Sequence, residues 1–495
     1  MGIIIRQSVK GAFWSYLGIV IGYINVGIIM PQFFDTAQIG LVQLFASVSL
    51  IFAQFGTLGF TSVINRLFSH FRDPRKQHNG FLFLAVVTGL LGFALTLAAF
   101  LFLKPWIIET NIQKSPLLVD FLWLLMPLVL MRILFTLLDN YNKMLYDAVT
   151  GTFWMEFMHK IINLILILLF ALGWIGFSLF FAGYVLSMSL PVIPVIWILV
   201  RRNHFSLKPQ PHFLSKPLRR ATGETMLFGF FNGLAGIMLV NVDRIFVNQY
   251  LSLSEVGVFG VCALFATLIR IPYNSVLKIA TGIIAEAWKR NDRAEIQSIY
   301  RKSALNQAII GTLLFTGILV NLDNIFRILP PQYLDGKWVL IIYSAGILVS
   351  TVIGLAGNIT EISRHFRYNT LFLALSVGLQ FVLSFVLIPR YGIVGAALAT
   401  MITLVLNALL QVALQRIAYG ISGVSFRLLW VAGIGIVSFG VGQLLPQMPL
   451  IADIVVRSAL VSLVFGGIIL KFNVSEEINE TVQAVFQSIR IWFKR

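Results

Sequence analysis

Windows without Asp, Glu, Lys or Arg recur along the chain, among them 11–34, 36–65, 303–322, 338–360, 368–389, 391–415 and 428–452. A helix rises 1.5 Å per residue, so about 20 apolar residues cross the ~30 Å hydrocarbon layer. Each window is long enough to do so. The stretch 161–200 is uncharged throughout, too long for one helix, and Gly173-Trp174-Ile175-Gly176 supplies a place to turn. The pattern predicts fourteen helices, near 9–31, 40–63, 80–103, 117–138, 150–172, 176–200, 222–242, 256–278, 303–321, 338–358, 368–389, 392–415, 427–445 and 453–471. Lys289 to Lys302 and Glu476 to Arg495 instead mix charges with spaced apolar residues, which predicts interfacial helices.

Composition agrees with this pattern. Of 495 residues, 58% are hydrophobic and 12% charged, against roughly 45–50% and roughly 25% in soluble domains. The fold class is therefore all-α, a polytopic membrane protein. The net charge of +17 points to basic cytoplasmic loops and not to nucleic acid. Of the basic residues, only Lys104, Lys114, Arg244, Arg327, Lys337, Arg390 and Arg457 are assigned to the side away from the N-terminus. The positive-inside rule then makes both termini cytoplasmic. The single Cys262 excludes an intramolecular disulfide and a Cys-based metal site. The run 11–34 is read as a retained first helix, being too long for a signal-peptide core.

Two local matches indicate duplication. Residues Phe33 to Leu41 resemble Tyr250 to Val258, with Gly40 on Gly257, and Gly173 to Gly176 resembles Gly392 to Gly395. The offsets, 217 and 219, are nearly equal, and each motif sits at a corner between helices. An offset of six helices keeps the insertion direction, the parallel-repeat design of secondary transporters. The expected organisation is an N-terminal lobe, 1–200, with helices 1–6, and a basic linker, 201–220. A C-terminal lobe, 221–415, with helices 7–12 follows, then helices 13 and 14 in 416–475 and an amphipathic tail in 476–495.

Val242 to Val247, Leu253 to Val258 and Tyr391 to Thr400 resemble the Wzx-type polysaccharide flippases of the multidrug, oligosaccharidyl-lipid and polysaccharide exporter superfamily. The resemblance implies a bacterial inner-membrane protein that moves undecaprenyl-pyrophosphate-linked oligosaccharide from the cytoplasmic to the periplasmic leaflet by alternating access. It implies no enzymatic activity and no cofactor. Lipid II flippases and ion-coupled multidrug exporters share the architecture and are the alternatives. A membrane glycosyltransferase or polymerase is a more distant one, disfavoured because the chain contains no Asp-x-Asp and no metal-ligand spacing of histidines.

Charges inside spans are costly and mark candidate sites. Arg132, Arg270 and Lys160 are candidate ligands for a pyrophosphate, since guanidinium matches phosphate in bidentate geometry. Snorkelling or structural pairing accounts for them equally well. Asn25 and Gln43, with Gln54 and the aromatic residues Trp14, Tyr16 and Tyr23, are candidate cavity groups for sugar, or ties between helices. Glu156, four residues before Lys160, is a candidate coupling carboxylate for a proton or sodium ion, or simply its ion-pair partner. Asp243 and Arg244 are candidate gating residues, with an interfacial cap as the plainer role. Glu224 fits the N-terminal end of helix 7. Pro127, Pro191, Pro194 and Pro272 should kink helices 4, 6 and 8.

Overall fold

The computed structural model describes residues 3–210 and 213–480. Those residues form helices and no strands. Twelve helices are long and apolar enough to cross a membrane. One of them, Phe366–Tyr419, has 54 residues, roughly 80 Å at 1.5 Å per residue and far beyond one crossing. It breaks at Gly392, whose φ of 58° and ψ of −140° suit only glycine, and is therefore helices 11 and 12. Arg427–Gln443, a shorter apolar helix of 17 residues, is helix 13. The fourteen expected elements are all present.

Contacts divide the chain into two compact units, Met1–Val261 with Ser384–Ile393, and Cys262–Leu383 with Val394–Arg495. In the first, helix 1 (Lys10–Phe33) packs on helix 5 (Val149–Ala171), and helix 2 (Thr36–Gly56) packs on helices 3 (Phe81–Asn111), 4 (Pro116–Met144) and 7 (Lys216–Tyr250). Asp35 and Gln38 form a reciprocal capping box that starts helix 2. Helix 6 (Phe177–Arg201) is interrupted at Leu190 and Pro191, and helix 4 has a tight 3₁₀ turn, Leu122–Leu124, just before Pro127. Helix 8 (Leu253–Lys289) has another, Leu268–Arg270, before Pro272. The prolines interrupt helices where the sequence places them, because each removes a backbone donor from the ladder.

In the second unit, helix 9 runs Arg293–Val320, helix 10 Lys337–Ile353 and helix 14 Leu450–Lys471. Lys289 to Lys302 is not an interfacial helix. Helix 8 continues to Lys289 and helix 9 begins at Arg293, with Ile296 and Tyr300 fully buried against Ile284, Ala287, Ile359 and Tyr419. The apolar face of that segment is met by protein, not by lipid. The tail 476–495 lies outside the described residues beyond 480. Its first turn is held by Glu477, which pairs with Lys302 at 2.9 Å and accepts from Asn306 at 2.7 Å. The Lys302 contact holds its carboxyl below the usual carboxylate range.

Helix 7 extends to Tyr250, beyond the expected end at 242, and the loop after helix 2 opens with a further helix, Phe60–Phe71. Helix 6 leads into a buried contact in which His78 Nε2 and His204 Nδ1 lie 3.3 Å apart and Tyr141 donates to the His204 carbonyl. Burial, then Arg202, pushes the His204 imidazole below its ordinary value. The native state therefore favours the neutral ring, and the contact is fully present above about pH 6.5 and weakens as pH falls below it. Arg72 and Asp73 also face this pair. Hydrogen exchange at residues 199–206, corrected for intrinsic rates, should accelerate between pH 7.5 and 5.5; a flat profile contradicts this.

Arg457 on helix 14 is buried, bonds Asp453 at 2.7 Å, and donates to the carbonyls of Gly442, Leu445 and Pro446. It closes the corner between helices 13 and 14. Removing one member of such a pair strands the other, whereas removing both does not. Arg457→Met should lower the melting temperature in detergent, and Asp453→Asn/Arg457→Met should recover part of the loss; a larger loss in the double variant contradicts this.

Candidate functional site

The face between helices 1 and 5 gathers three of the candidate residues. Each helix contains one π-helical turn, Ile24–Ile29 in helix 1 and Phe153–Met158 in helix 5. Such turns insert an extra residue into the ladder and re-aim side chains. Asn25, in the first, is buried and donates to the Lys160 carbonyl at 2.8 Å. Glu156, in the second, pairs with Lys160 at 3.2 Å. Helix 1 meets helix 5 through glycine: a Cβ on Gly18 would lie 1.8 Å from the Glu156 carbonyl oxygen, and one on Gly22 3.2 Å from the Lys160 side chain. Trp14 packs on Phe153 and Phe157, both at 4.8 Å between ring centroids, so its ring is engaged in holding the two helices. Lys160 lies at the middle of its span with its side chain 23% exposed, and Glu156 is 43% exposed. The Lys160 ammonium thus stands partly open at the middle of its span, and the Glu156 carboxylate, more open, one turn nearer the start of the helix.

The other candidates are placed elsewhere. Arg270 is exposed, in the 3₁₀ turn that precedes Pro272. Arg132 is buried among helices 4, 5 and 6, with Nη2 3.4 Å from the Met188 sulfur. Asp243 and Arg244 lie inside helix 7 and pair with each other at 3.4 Å, and Arg244 Nη1 also donates to the Val240 carbonyl. Glu224 takes a hydrogen bond from Arg220 at the exposed start of helix 7.

Gln43, half-buried, belongs to a second feature, the crossing of helices 2 and 8 near their starts. A Cβ on Gly40 would lie 1.8 Å from the Leu253 carbonyl oxygen, and one on Gly257 2.0 Å from that of Thr36. Thr36 and Ser254 share a hydrogen bond, and Gln43 lies against Gly260. The two glycines that revealed the internal repeat therefore touch each other. Beside this seam Ser115 donates to Asn248 at 2.9 Å, Asn248 to Asn111 at 2.8 Å, and the Leu253 amide to Ser115 at 3.2 Å. This buried latch joins the corner of helices 3 and 4 to the corner of helices 7 and 8. The serine and two asparagines lie at span ends, where isolated polar residues give no signal.

Two buried networks were also invisible in the sequence. Between helices 11 and 12, Gln380 donates to Thr400 at 2.9 Å, Ser376 to Asn407 at 3.3 Å and Gln411 to Asn369 at 2.7 Å. Gln411 also accepts from Thr360, and Gln415 donates to it, each at 2.7 Å. In helices 5 and 6, His159 meets Ser187 at 3.1 Å, and Ser187 meets Asn163 at 2.8 Å. Their signal is a uniform one, near-antiparallel spacing of amides and hydroxyls on adjacent spans.

No family model matches the sequence. A probable low-salt glycan biosynthesis flippase, Agl15, of Haloferax volcanii is 22% identical over 185 residues, 37% of this chain and 39% of that protein. The chain thus spans about two fifths of that relative's length. An uncharacterized membrane protein, MJ1068, of Methanocaldococcus jannaschii is 21% identical over 420 residues, 80% of this chain and 81% of that one. The inward closed lipid II flippase MurJ superposes with a TM-score of 0.73 at 15% identity, covering 95% of this chain and all of that one. An inward-facing MATE family multidrug transporter of the MOP superfamily gives 0.60 at 14% identity, covering 86% and 95%.

The seam generates a test. In a Cys262→Ala background, Gly40→Leu should force helices 2 and 8 apart and raise thiol labelling of Ser254→Cys at least tenfold; unchanged labelling contradicts a closed seam. The site and the superpositions together give this chain the fold shared by the MurJ flippase and the MATE transporters of the MOP superfamily.

Proposed function

We propose that the chain is a flippase for lipid-linked oligosaccharide, carrying a polyprenyl-diphosphate glycan, of the undecaprenyl type, from the cytoplasmic to the outer leaflet for surface glycan assembly. The observation that carries this reading is the half-open Lys160 at mid-membrane depth beside Glu156. A cation kept inside a span costs at least about 2.5 kcal/mol at the bilayer centre and is retained for a partner. A diphosphate supplies one. Lys160 would meet the diphosphate while the prenyl tail stays in lipid.

Alternating access would proceed by rocking of the lobes 1–200 and 221–415, with both termini cytoplasmic and helices 13 and 14 as an appendage. The glycine seam between helices 2 and 8 would then be the outer closure of a state that loads from the cytoplasm. Glu156 would accept a proton, or sodium would replace the Lys160 ammonium at it, releasing Lys160 for substrate and so coupling transport. Asn25 would set the helix 5 backbone, Gln43 the closure, and Asp243 with Arg244 the stiffness of helix 7 near it. The likeness to the glycan biosynthesis flippase supports the substrate class.

The exposure of Glu156 also favours a second reading, export of cationic compounds, because an open carboxylate suits a cation. The two separate in proteoliposomes. With a fluorescent short-chain prenyl-diphosphate disaccharide, wild type should flip the lipid, and Lys160→Met should slow flipping by about tenfold or more, as loss of one charge-assisted contact worth 1.5–3 kcal/mol implies. Uptake of cationic dyes without any lipid flipping would overturn the proposal.

A further inference from the structure

Arg132 presents a charge that the packing around it does not balance. It lies in helix 4, twelve residues before the helix ends at Met144 and six before the expected end of the span at 138. Only 8% of it is exposed. Among the described residues no carboxylate lies within ion-pair reach of the guanidinium, its Nε has no hydrogen-bond partner, and its Nη2 meets only the Met188 thioether. The ionisable groups that face it are the Tyr184 phenol on helix 6 and the His159 imidazole on helix 5, both buried. Neither bears negative charge near neutral pH. A guanidinium does not shed its proton in compensation. Arg457, by contrast, is equally buried and is matched by Asp453 and three carbonyls.

We propose that Arg132 holds a small inorganic anion, of the size of a halide, in the interior of the helix 4, 5 and 6 packing. The anion pairs with the guanidinium and neutralises a charge that would otherwise stand unpaired in low dielectric, where a lone ion is several kcal/mol too costly. The Tyr184 hydroxyl is a second donor on the facing helix. The enclosure fixes the size class: a diphosphate headgroup would have to part helices to reach this guanidinium, whereas it meets Lys160 half-open. This assignment does not depend on the transported substrate.

The test uses the full-length protein in detergent, with sodium chloride replaced by sodium gluconate at constant sodium. A ligand bound only by the folded state raises the melting temperature with saturation. Wild type should show a saturable upward shift with chloride, reproduced by bromide and not by gluconate, and Arg132→Met should lose it. If that variant does not fold, bromide-soaked crystals of wild type should give an anomalous peak beside the guanidinium. No saturable halide dependence in wild type, the same dependence in Arg132→Met, or the absence of that peak overturns the proposal. Inorganic phosphate or a prenyl diphosphate that abolishes the chloride shift also overturns it, and assigns Arg132 to the phosphate of the carrier lipid.

Discussion

Helices in lipid gain nothing from hiding apolar side chains from one another, since the surrounding tails are as apolar as leucine. What holds them is close approach and hydrogen bonding. In this chain the approach is supplied by glycine at the contacts that join different parts of the molecule. Gly18 lets helix 1 onto the backbone of helix 5, Gly92 lets helix 3 onto Gly56 of helix 2, and Gly40 with Gly257 lets helix 2 onto helix 8. In each case a Cβ would overlap a carbonyl oxygen, so the contact is between backbones and not between side chains. A contact of this kind has no soft intermediate: a larger residue cannot relax around it. The seam between helices 2 and 8 is thus a discrete contact, either made or open, and not a continuously deformable one.

The intramembrane charges divide by how they are compensated. Arg457 is completed by an acid and three carbonyls, and it fixes the corner between helices 13 and 14. Asp139 pairs through Oδ2 with Lys143 at 2.6 Å on the next turn of helix 4, while its Oδ1 is buried without a hydrogen-bond partner. Lys160 and Glu156 are paired but stay half-exposed. A pair of that kind keeps its stability modest and its members exchangeable, because water or a ligand competes for each. That gradient, from sealed to open, separates charges locked into the fold from charges left accessible. Paired π turns on helices 1 and 5 reinforce the division. They tilt Asn25 inward onto a backbone carbonyl while leaving Glu156 outward.

Much of this was legible in the sequence. Charge-free windows marked most of the fourteen spans directly, since a charge is too costly to be common in lipid. The repeat glycines were legible as well, and for a reason now visible: Gly173 and Gly392 both take positive φ at their corners, and Gly40 and Gly257 touch. The facing of polar residues was not legible. Arg132 and Arg270 have similar depth in the sequence, yet one is enclosed and the other exposed. In a soluble helix the apolar stripe reveals the buried face; here the neighbours are apolar on every side, because lipid and protein interior are chemically alike. Helix ends were misjudged for a related reason. Helices 7, 8 and 9 run past the bilayer, and beyond the apolar window nothing in the pattern distinguishes a helix that continues from one that stops.

The latch of Asn111, Ser115 and Asn248 holds the helix ends beside the glycine seam by a different kind of interaction. Each of its bonds is between neutral groups and is buried, so each contributes only about 0.5–1.5 kcal/mol net. A charged latch of the same geometry would hold the seam more tightly, and would strand a costly ion if it parted. Neutral amides and a hydroxyl can exchange their partners for water at the membrane edge with little loss. The glycine contact defines where the helices meet, and the weak hydrogen bonds beside it set how readily they part.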